Sequence, residues 1–231
     1  MGNPRAVIYH FTNVSKIRPI VYKKEVQRIR RFAEQKGYID PDEYIDKSLK
    51  KRERQQFDAM MANIDNYEAI IMKDFYHLSK ATGACLSNLV YLNSIGVSVY
   101  TIEDGSFTFT EPPLSQRLRV AVYYCGLEIV GHSYGLQFEI MDLFVRSKTN
   151  WTVIDHYADL SGNKVDGSQT ALRELIRNTD KYDLVMVQSF GDIHWRTAKF
   201  CKMRHLLQKD IYSMQENIFL PYRKEEIKDE V

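Results

Sequence analysis

The sequence predicts an α/β protein made of two tandem domains, each a mainly parallel β-sheet flanked by helices. Three observations predict this fold class. Short apolar segments alternate with amphipathic helical segments along the 231 residues, and the order of segments in the first half recurs in the second. Between the halves lies Glu111-Pro112-Pro113, and paired prolines stop both helices and strand ladders. Strands that are apolar on both faces are typical of parallel sheets covered by helices on each side.

The first half is predicted to begin with a buried strand, because the run from Ala6 to Tyr9 is short and apolar. Three helices are predicted from apolar residues spaced three and four positions apart. Their apolar residues are Val26, Ile29, Phe32 and Ala33; Phe57, Met60, Met61 and Ile64; and Leu86, Leu89 and Val90. Gly37 is expected to end the first helix. Two more strands are predicted at residues 67–72 and 97–102.

The second half is predicted to repeat this order. Strands are predicted at residues 119–123, 151–154, 183–187 and 211–214. The helices between them are predicted from three apolar sets: Leu136, Ile140, Leu143 and Phe144; Leu172, Leu175 and Ile176; and Phe200, Met203, Leu206 and Leu207. We therefore predict one domain at residues 1–106, a proline-containing linker at 107–117, and a second domain with a charged tail at 118–231.

Composition favours an ordinary globular protein, with 44% hydrophobic and 27% charged residues. No apolar run approaches the roughly 18 residues that a membrane span needs, and the first residues lack an apolar signal core, so we expect no membrane association and a cytoplasmic location. Cys85, Cys125 and Cys201 lie far apart without metal-ligand spacing, which predicts reduced core cysteines and no metal. We expect no cofactor.

The formal net charge of +2 is too balanced to indicate nucleic-acid binding by itself. Residues 1–110 hold 16 Lys and Arg against 13 Asp and Glu, whereas the remaining residues hold 16 against 17. Any electrostatic contact with phosphate is therefore expected in the first half.

Several segments resemble the catalytic domain of serine recombinases of the resolvase and invertase family. Residues 70–80 resemble that family's "IIVKDLSRFGR" segment, and residues 46–64 resemble its "D-x-SG…RPxFxxML" stretch. Residues 96–105 are similar to its closing "GVRFIAINDG". In the second half, Gln137 and residues 157–162 match the family's helix glutamine and its "D-x-SG". The resemblance covers most of residues 5–105 and 118–215 and implies two degenerate, tandem resolvase-like domains.

In that family, a serine after the first strand attacks a DNA phosphate and forms a phosphoserine link. The resemblance implies a site in which several guanidinium groups surround the phosphoryl group, because negative charge accumulates on that group during the reaction. Arginine suits this role since it stays charged and holds two oxygens at once. The resemblance implies no metal.

The first copy departs from this pattern at its first strand. The family's "Y-x-R-V-S" falls on residues 9–13, so Phe11 replaces the arginine and Asn13 replaces the nucleophile. A two-residue bulge would instead offer Ser15, which lies ten residues before Glu25, at the place of the helix glutamine. A turn serine is the alternative interpretation of Ser15.

The arginines of the "SRFGR" segment become His77 and Lys80 in the first copy, whereas Ser48 and Arg54 are retained. The resemblance therefore implies a degenerate catalytic set of Ser15, Arg54, His77 and Lys80. His77 and Lys80 are expected near a helix start, where they would hold an anion together. An ordinary surface ion pair is the alternative for Arg54.

The second copy departs further. The arginine position holds Cys125 and the nucleophile position holds Leu127. Asp192 stands in the segment where a cation is required, and Gln169 falls near the arginine before the second helix. Because an acidic side chain repels phosphate, this copy is predicted to be inactive.

The candidate contacts with phosphate or the DNA backbone are Ser48, Arg28, Arg31, Lys51 and Arg52. Solvated helix faces are the alternative interpretation of these charges. We expect neither copy to be followed by a helix-turn-helix or other DNA-reading module of the kind that family members carry. The tail from Arg223 to Lys228 is too short for one.

The sequence therefore predicts a catalytically inactive serine-recombinase-like protein that acts as an interaction or regulatory module linked to DNA recombination or a mobile element. Its expected partners are the DNA backbone, through the first domain, and a true recombinase or another protein; the two copies are also candidates for an internal pseudo-dimer. One alternative is an active DNA strand-transfer or nicking enzyme that uses Ser15. Another is a binder of small anions or nucleotides at the strand ends.

Overall fold

The computed structural model describes residues 5–12, 19–47, 54–113, 115–126, 134–159 and 169–223. These residues form two compact units. The first contains the described residues up to Lys80 together with Cys85–Phe107, and the second contains Ala81–Ala84 and the described residues from Thr108 onward. Each unit has its own five-stranded sheet.

The sheet of the first unit has the strand order β2-β1-β3-β4-β5. Its elements in chain order are β1 (Ala6–Thr12), α1 (Pro19–Gln35), β2 (Asp42–Lys47), α2 (Gln55–Ala62), β3 (Ala69–Met72), α3 (Thr82–Ser94, which belongs to this unit from Cys85 onward), β4 (Ser98–Thr101) and β5 (Gly105–Ser106). The first four strands pair in parallel, and β5 pairs antiparallel with β4. The carboxyl ends of β1, β2 and β3 therefore meet at one edge of the sheet.

The sheet of the second unit has the order β10-β9-β8-β6-β7. Its elements are β6 (Leu118–Cys125), α4 (Tyr134–Arg146), β7 (Trp151–Asp159), α5 (Thr170–Arg177), β8 (Leu184–Val187), α6 (Phe190–Ile193), α7 (Thr197–Leu207), β9 (Asp210–Ser213) and β10 (Ile218–Leu220). Among the described strands of this sheet, only β10 pairs antiparallel. When the strands are numbered within each unit, both sheets have the strand order 2-1-3-4-5. The predicted fold class, with two mainly parallel sheets flanked by helices, is confirmed.

Alternating side chains of the strands build the core of each unit. In the first unit, Ile8 and Ile71 of the sheet pack with Ile29 and Ala33 of α1, and all four are buried. In the second unit, α4 packs on the equivalent face of the sheet, where Val122, Met186, Met141 and Val145 form one buried cluster. Because residues on both faces of the central strands are buried, the strands read as continuous apolar runs.

The end of α1 agrees with the prediction made from Gly37. Gly37 has φ = +89°, its N–H donates to the Glu34 carbonyl, and the N–H of Tyr38 donates to the Ala33 carbonyl. This pair of bonds is a Schellman motif, which satisfies the last carbonyls of the helix and favours glycine at the left-handed position.

The structure adds elements that the sequence did not predict. Strand β2 (Asp42–Lys47) was missed because an edge strand rich in charged residues has little apolar pattern, and only Asp46 in it is buried. The short elements β5, β10 and α6 were missed because two to four residues carry no detectable periodicity. Ile64 belongs to a 3-10 turn after α2, not to α2 itself.

All three cysteines are buried. Within the described residues, no helix is both long enough and apolar enough to span a membrane.

Candidate functional site

The candidate site of the first unit lies at the carboxyl ends of its parallel strands. Tyr9 and His10 come from β1, Asp46 comes from β2, Arg54 precedes α2, and His77 lies in the segment after β3. Functional residues of open α/β sheets are commonly found at this edge, because the loops that leave the strands converge there.

Arg54 is held by three protein oxygens. Its Nε donates to the Tyr9 phenol oxygen at 3.0 Å, its Nη1 donates to the Leu78 carbonyl at 2.9 Å, and its Nη2 donates to the His77 carbonyl. The guanidinium carbon also lies 3.8 Å from the centre of the Phe57 ring. All three nitrogens of this arginine therefore bind atoms of its own unit and tie the start of α2 to β1 and to the segment after β3.

Tyr9 and Asp46 continue the same network. The Tyr9 phenol donates to Asp46 Oδ2 at 3.0 Å, and the Asp46 carboxylate accepts the N–H groups of Gln56 and Phe57, each at 3.0 Å. Those N–H groups belong to the first turn of α2, so Asp46 caps that helix from a neighbouring strand. Burial raises the pKa of Tyr9 well above its usual range. The phenol is thus a fixed, neutral hydrogen-bonding group.

His10 is buried against His77. The two rings stack with their centres 5.0 Å apart, and His10 is 2% exposed. Neither ring nitrogen of His10 has a hydrogen-bond partner among the described residues, and Nε2 lies 3.7 Å from Glu25 Oε2. Burial, assisted by the nearby His77, lowers the pKa of His10 to about 4 despite the opposing effect of Glu25. His10 is therefore neutral at neutral pH.

The charged groups around the stacked histidines are paired with one another. His77 Nδ1 lies 2.7 Å from Asp74 Oδ1, and Lys73 Nζ lies 3.0 Å from Glu25 Oε1 and 3.6 Å from Glu103 Oε1. Burial would raise the pKa of Asp74, but its hydrogen bond with His77 and the positive charges of His77 and Lys73 together hold that pKa below its usual value. The ring nitrogen of His77 thus faces a carboxylate.

Lys80 has a different environment. Its ammonium lies 5.5 Å from the ring centres of both Phe11 and Tyr76, a cation–π arrangement. The expected helix start needs correction: His77 lies in a single 3-10 turn (Phe75–His77), and Lys80 lies before α3 begins at Thr82. His77 and Lys80 therefore do not share the first turn of a helix.

The remaining predicted residues fall in two groups. Arg28 and Arg31 lie on the exposed face of α1, where Arg28 Nη1 is 4.0 Å from Glu103 Oε1. Four predicted residues, Ser15, Ser48, Lys51 and Arg52, lie outside the described residues, as do the nucleophile positions Asn13 and Leu127.

The second unit repeats the network of Arg54 with a glutamine. Gln169 Nε2 donates to the Tyr123 phenol oxygen at 3.3 Å and to the carbonyls of Ile193 and Asp192 at 3.2 and 3.4 Å. The Tyr123 phenol donates to Asp159 Oδ2 at 3.0 Å. Asp159 in turn accepts the first N–H groups of α5, from Ala171 and Leu172, at 3.0 Å each. Each hydrogen bond of the first network thus has a counterpart in the second, although one amide nitrogen of Gln169 replaces the three guanidinium nitrogens of Arg54.

Asp192 has a structural role at the place where the family resemblance requires a cation. Its carboxylate accepts the Ser189 N–H at 3.1 Å, while the Ser189 hydroxyl accepts the Gly191 N–H at 3.2 Å, so the pair forms a capping box at the start of α6. The Asp192 side chain is buried. The segment is therefore built to start a helix.

Sequence reasoning missed that Tyr9 and Asp46 belong with Arg54, and that His10 stacks on His77. One signal was available for the first of these. Tyr9 and Asp46 are 37 positions apart, and Tyr123 and Asp159 are 36 apart, so the pair recurs at nearly the same spacing. Nothing in the sequence pattern indicates the histidine stack, since it joins adjacent strand ends of one sheet.

Comparison with known proteins shows a resolvase-like domain in this chain. The family model described as "Resolvase, N terminal domain" matches residues 15–122, just under half of the chain. The match begins after β1 and ends within β6. A search of curated proteins found no match.

Solved structures give weaker likenesses. The N-terminal catalytic domain of TP901-1 integrase is 19% identical, with 43% of this chain and 80% of that chain covered and a TM-score of 0.35. A myo-inositol-binding protein from Caulobacter is 11% identical over 92% of this chain and 75% of its own, with a TM-score of 0.30. LsrB from Clostridium saccharobutylicum is 13% identical over 91% and 70%, with a TM-score of 0.28.

Proposed function

We propose that this chain is a serine-recombinase-like tandem protein that does not cleave DNA and acts as an interaction or regulatory module linked to DNA recombination or a mobile element. The resolvase-like domain supports the link to the serine recombinase family. The contacts of Arg54 and the replacement of the family's other arginines support the loss of DNA cleavage.

The contacts of Arg54 carry this proposal. A phosphoryl group that gathers negative charge needs several guanidinium groups directed at it. Arg54 is the arginine retained from the family's pattern, and its three nitrogens bind the Tyr9 phenol and two backbone carbonyls. At the other arginine positions, Phe11 is apolar and His77 is paired with Asp74. Lys80 is a point charge that cannot hold two oxygens in the planar, bidentate manner of arginine.

The repeated network supports a second, more degenerate copy. Gln169, Tyr123 and Asp159 make the same set of bonds as Arg54, Tyr9 and Asp46. A glutamine keeps the hydrogen bonds of the network but carries no charge, and the nearby Asp192 adds a negative one. We propose that the second unit is a scaffold for interactions and carries out no phosphoryl transfer.

The test is a cleavage assay on supercoiled plasmid DNA with the full chain and its Ser15→Ala variant. Nicked circles and covalent protein–DNA adducts, detected on denaturing gels, report the phosphoserine reaction; an active serine recombinase serves as positive control. We expect the full chain and the variant to give the same background. Adducts that form with the full chain and disappear with Ser15→Ala would establish the competing activity, with Ser15 as nucleophile and Arg54, His77 and Lys80 as its supporting groups.

We also propose that the first domain contacts the DNA backbone through Ser48, Arg28, Arg31, Lys51 and Arg52. A gel-shift titration against salt tests this, because each released phosphate counterion steepens the salt dependence. We expect Lys51→Gln with Arg52→Gln to reduce both the affinity and the slope. Affinity that is unchanged by this double substitution, or is insensitive to salt, would contradict these contacts and favour a protein as the partner.

A further inference from the structure

A groove of about 500 Å³ lies between α5 and α7 of the second unit. Its apolar lining comes from Leu172 and Ile176, four positions apart on α5, and from Met203 and Leu206, three positions apart on α7. Leu172 is buried, whereas Leu206 is 51% exposed. The two helices thus line the groove with an apolar strip of these four residues, whose outer part is open to solvent.

Four cations border this strip. Arg173 and Arg177 are one turn apart on α5, and Lys199 and Lys202 are about one turn apart on α7. All four side chains are exposed, and none of the described residues that line the groove is acidic. The charged side chains that line the groove are thus all basic, whereas the half of the chain from residue 111 onward holds 16 Lys and Arg against 17 Asp and Glu.

The combination selects one kind of partner. An amphipathic helix buries an apolar face by placing residues at positions i, i+3 or i+4, and i+7 into an apolar groove. Acidic residues on both sides of that face would meet the cations that border this groove, which gives charge complementarity along its length. A nucleic-acid backbone would satisfy the cations but would leave Ile176, Met203 and Leu206 without an apolar partner.

The geometry points to a docking groove for an acidic amphipathic helix of a partner protein, held by Arg173, Arg177, Lys199 and Lys202 over the apolar strip. This inference rests on the interaction role proposed above and specifies the class of partner. Its test measures binding at the groove and no DNA cleavage, so the outcome of the cleavage assay does not decide it. The docking groove can be present even if the first unit proves to cleave DNA.

The test titrates the full chain into a fluorescently labelled peptide of about 18 residues and measures the anisotropy of the peptide. Leucines occupy one helical face of this peptide, and glutamates flank that face. We expect saturable binding with a dissociation constant below roughly 100 µM. Arg177→Glu combined with Lys202→Glu should weaken binding by about tenfold or more, because two attractions become repulsions. Leu206→Ser should weaken it by severalfold through the apolar strip.

Arg117→Glu combined with Arg146→Glu is the matched control, since it makes the same charge change at exposed residues outside the groove, and Arg146 ends α4 as Arg177 ends α5. This control should bind the peptide within about twofold of the unaltered chain. Circular dichroism of each variant establishes that it is folded.

Outcomes of three kinds would overturn the inference. One is an absence of saturable binding, or binding that the groove variants leave unchanged. Another is equal binding of a peptide in which lysines replace the glutamates. The third is a competing occupant: a short DNA duplex that binds with the same sensitivity to Arg177→Glu and Lys202→Glu, or self-association in sedimentation experiments that Leu206→Ser abolishes.

Discussion

The Nε atom of Arg54 lies 3.0 Å from the phenolic oxygen of Tyr9 and donates a hydrogen bond to it. Gln169 makes the corresponding contact with Tyr123 at 3.3 Å. Both side chains precede a helix, and both also donate to backbone carbonyls of the segment after the third strand of their unit. The two units therefore fill this position with different side chains that donate to the same kinds of acceptor, and Gln169 does so without a charge.

We expect Arg54→Ala to destabilise the protein by about 2–3 kcal/mol, because it leaves partly buried carbonyls without a donor. Arg54→Gln should cost only about 1 kcal/mol, since the amide replaces part of the network as Gln169 does. Urea denaturation followed by circular dichroism measures both. Equal costs for the two variants would show that the charge, and not the hydrogen bonding, is what matters at Arg54.

The buried aspartate of each network is expected to contribute at least as much to stability as Arg54 does. Asp46→Ala removes the acceptor for two N–H groups of α2 and for the Tyr9 hydroxyl. The loss of a helix cap and of a buried acceptor predicts a cost of about 2–3 kcal/mol. Asp159→Ala should give a similar cost in the second unit, because its three contacts are the same.

Both tryptophans, Trp151 and Trp195, belong to the second unit, so tryptophan fluorescence monitors Asp159→Ala directly. Amide hydrogen exchange localises each effect: Asp46→Ala should speed exchange in α2, and Asp159→Ala should speed it in α5. Unchanged exchange in these helices would contradict the capping role.

The buried His10 predicts a pH dependence of stability. Its pKa in the folded protein is about 4, below the ordinary value of 6.5, because burial and His77 oppose its positive charge. The unfolded chain therefore takes up a proton as the pH falls through 6.5, whereas the folded protein does so only near pH 4. Stability is thus lost between pH 6.5 and pH 4, by an amount on the order of 3 kcal/mol.

The control for this prediction is His10→Phe, which keeps a ring to stack on His77 and has nothing to protonate. Urea midpoints measured at pH 7 and pH 5 should differ less for this variant than for the unaltered chain. Asp74, whose pKa is held below its ordinary value of 3.8, acts at lower pH and does not obscure the comparison. Equal losses in both proteins would exclude His10 as the source.

Asp192→Ala is expected to cost about 1 kcal/mol, because it removes one half of the capping box of α6. Asp192→Asn should cost less, since the amide oxygen still accepts the Ser189 N–H. Tryptophan fluorescence during urea denaturation measures both variants. A stabilising effect of either substitution would show that Asp192 is under electrostatic strain and that its capping bonds are secondary.

Much of the fold was predictable from the sequence, and particular residues show why. Central strands such as Leu184–Val187 are apolar on both faces, and α1 has both an apolar stripe and a glycine that ends it. Strand β2 was not predictable, because an edge strand needs no apolar pattern when hydrogen bonds to one neighbour, β1, hold it.

The candidate site was predictable only as a set of positions. The family resemblance assigned Arg54, His77 and Lys80 to one catalytic set, but it did not indicate which atoms these side chains contact. Arg54 donates to carbonyls of residues 77 and 78, and backbone acceptors have no sequence signature. The stack of His10 on His77 is likewise invisible, since it depends on how two strand ends are spaced in the sheet.

The bonds of Asp46 and Arg54 bear on how such chains are recognised. Because these side chains anchor the N-terminus of α2 to the sheet, selection for folding alone suffices to preserve them. A sequence motif that treats these residues as evidence of DNA cleavage will therefore also match related proteins that do not cleave DNA. Side chains that do not contribute to the stability of the fold indicate more reliably whether catalytic activity is retained.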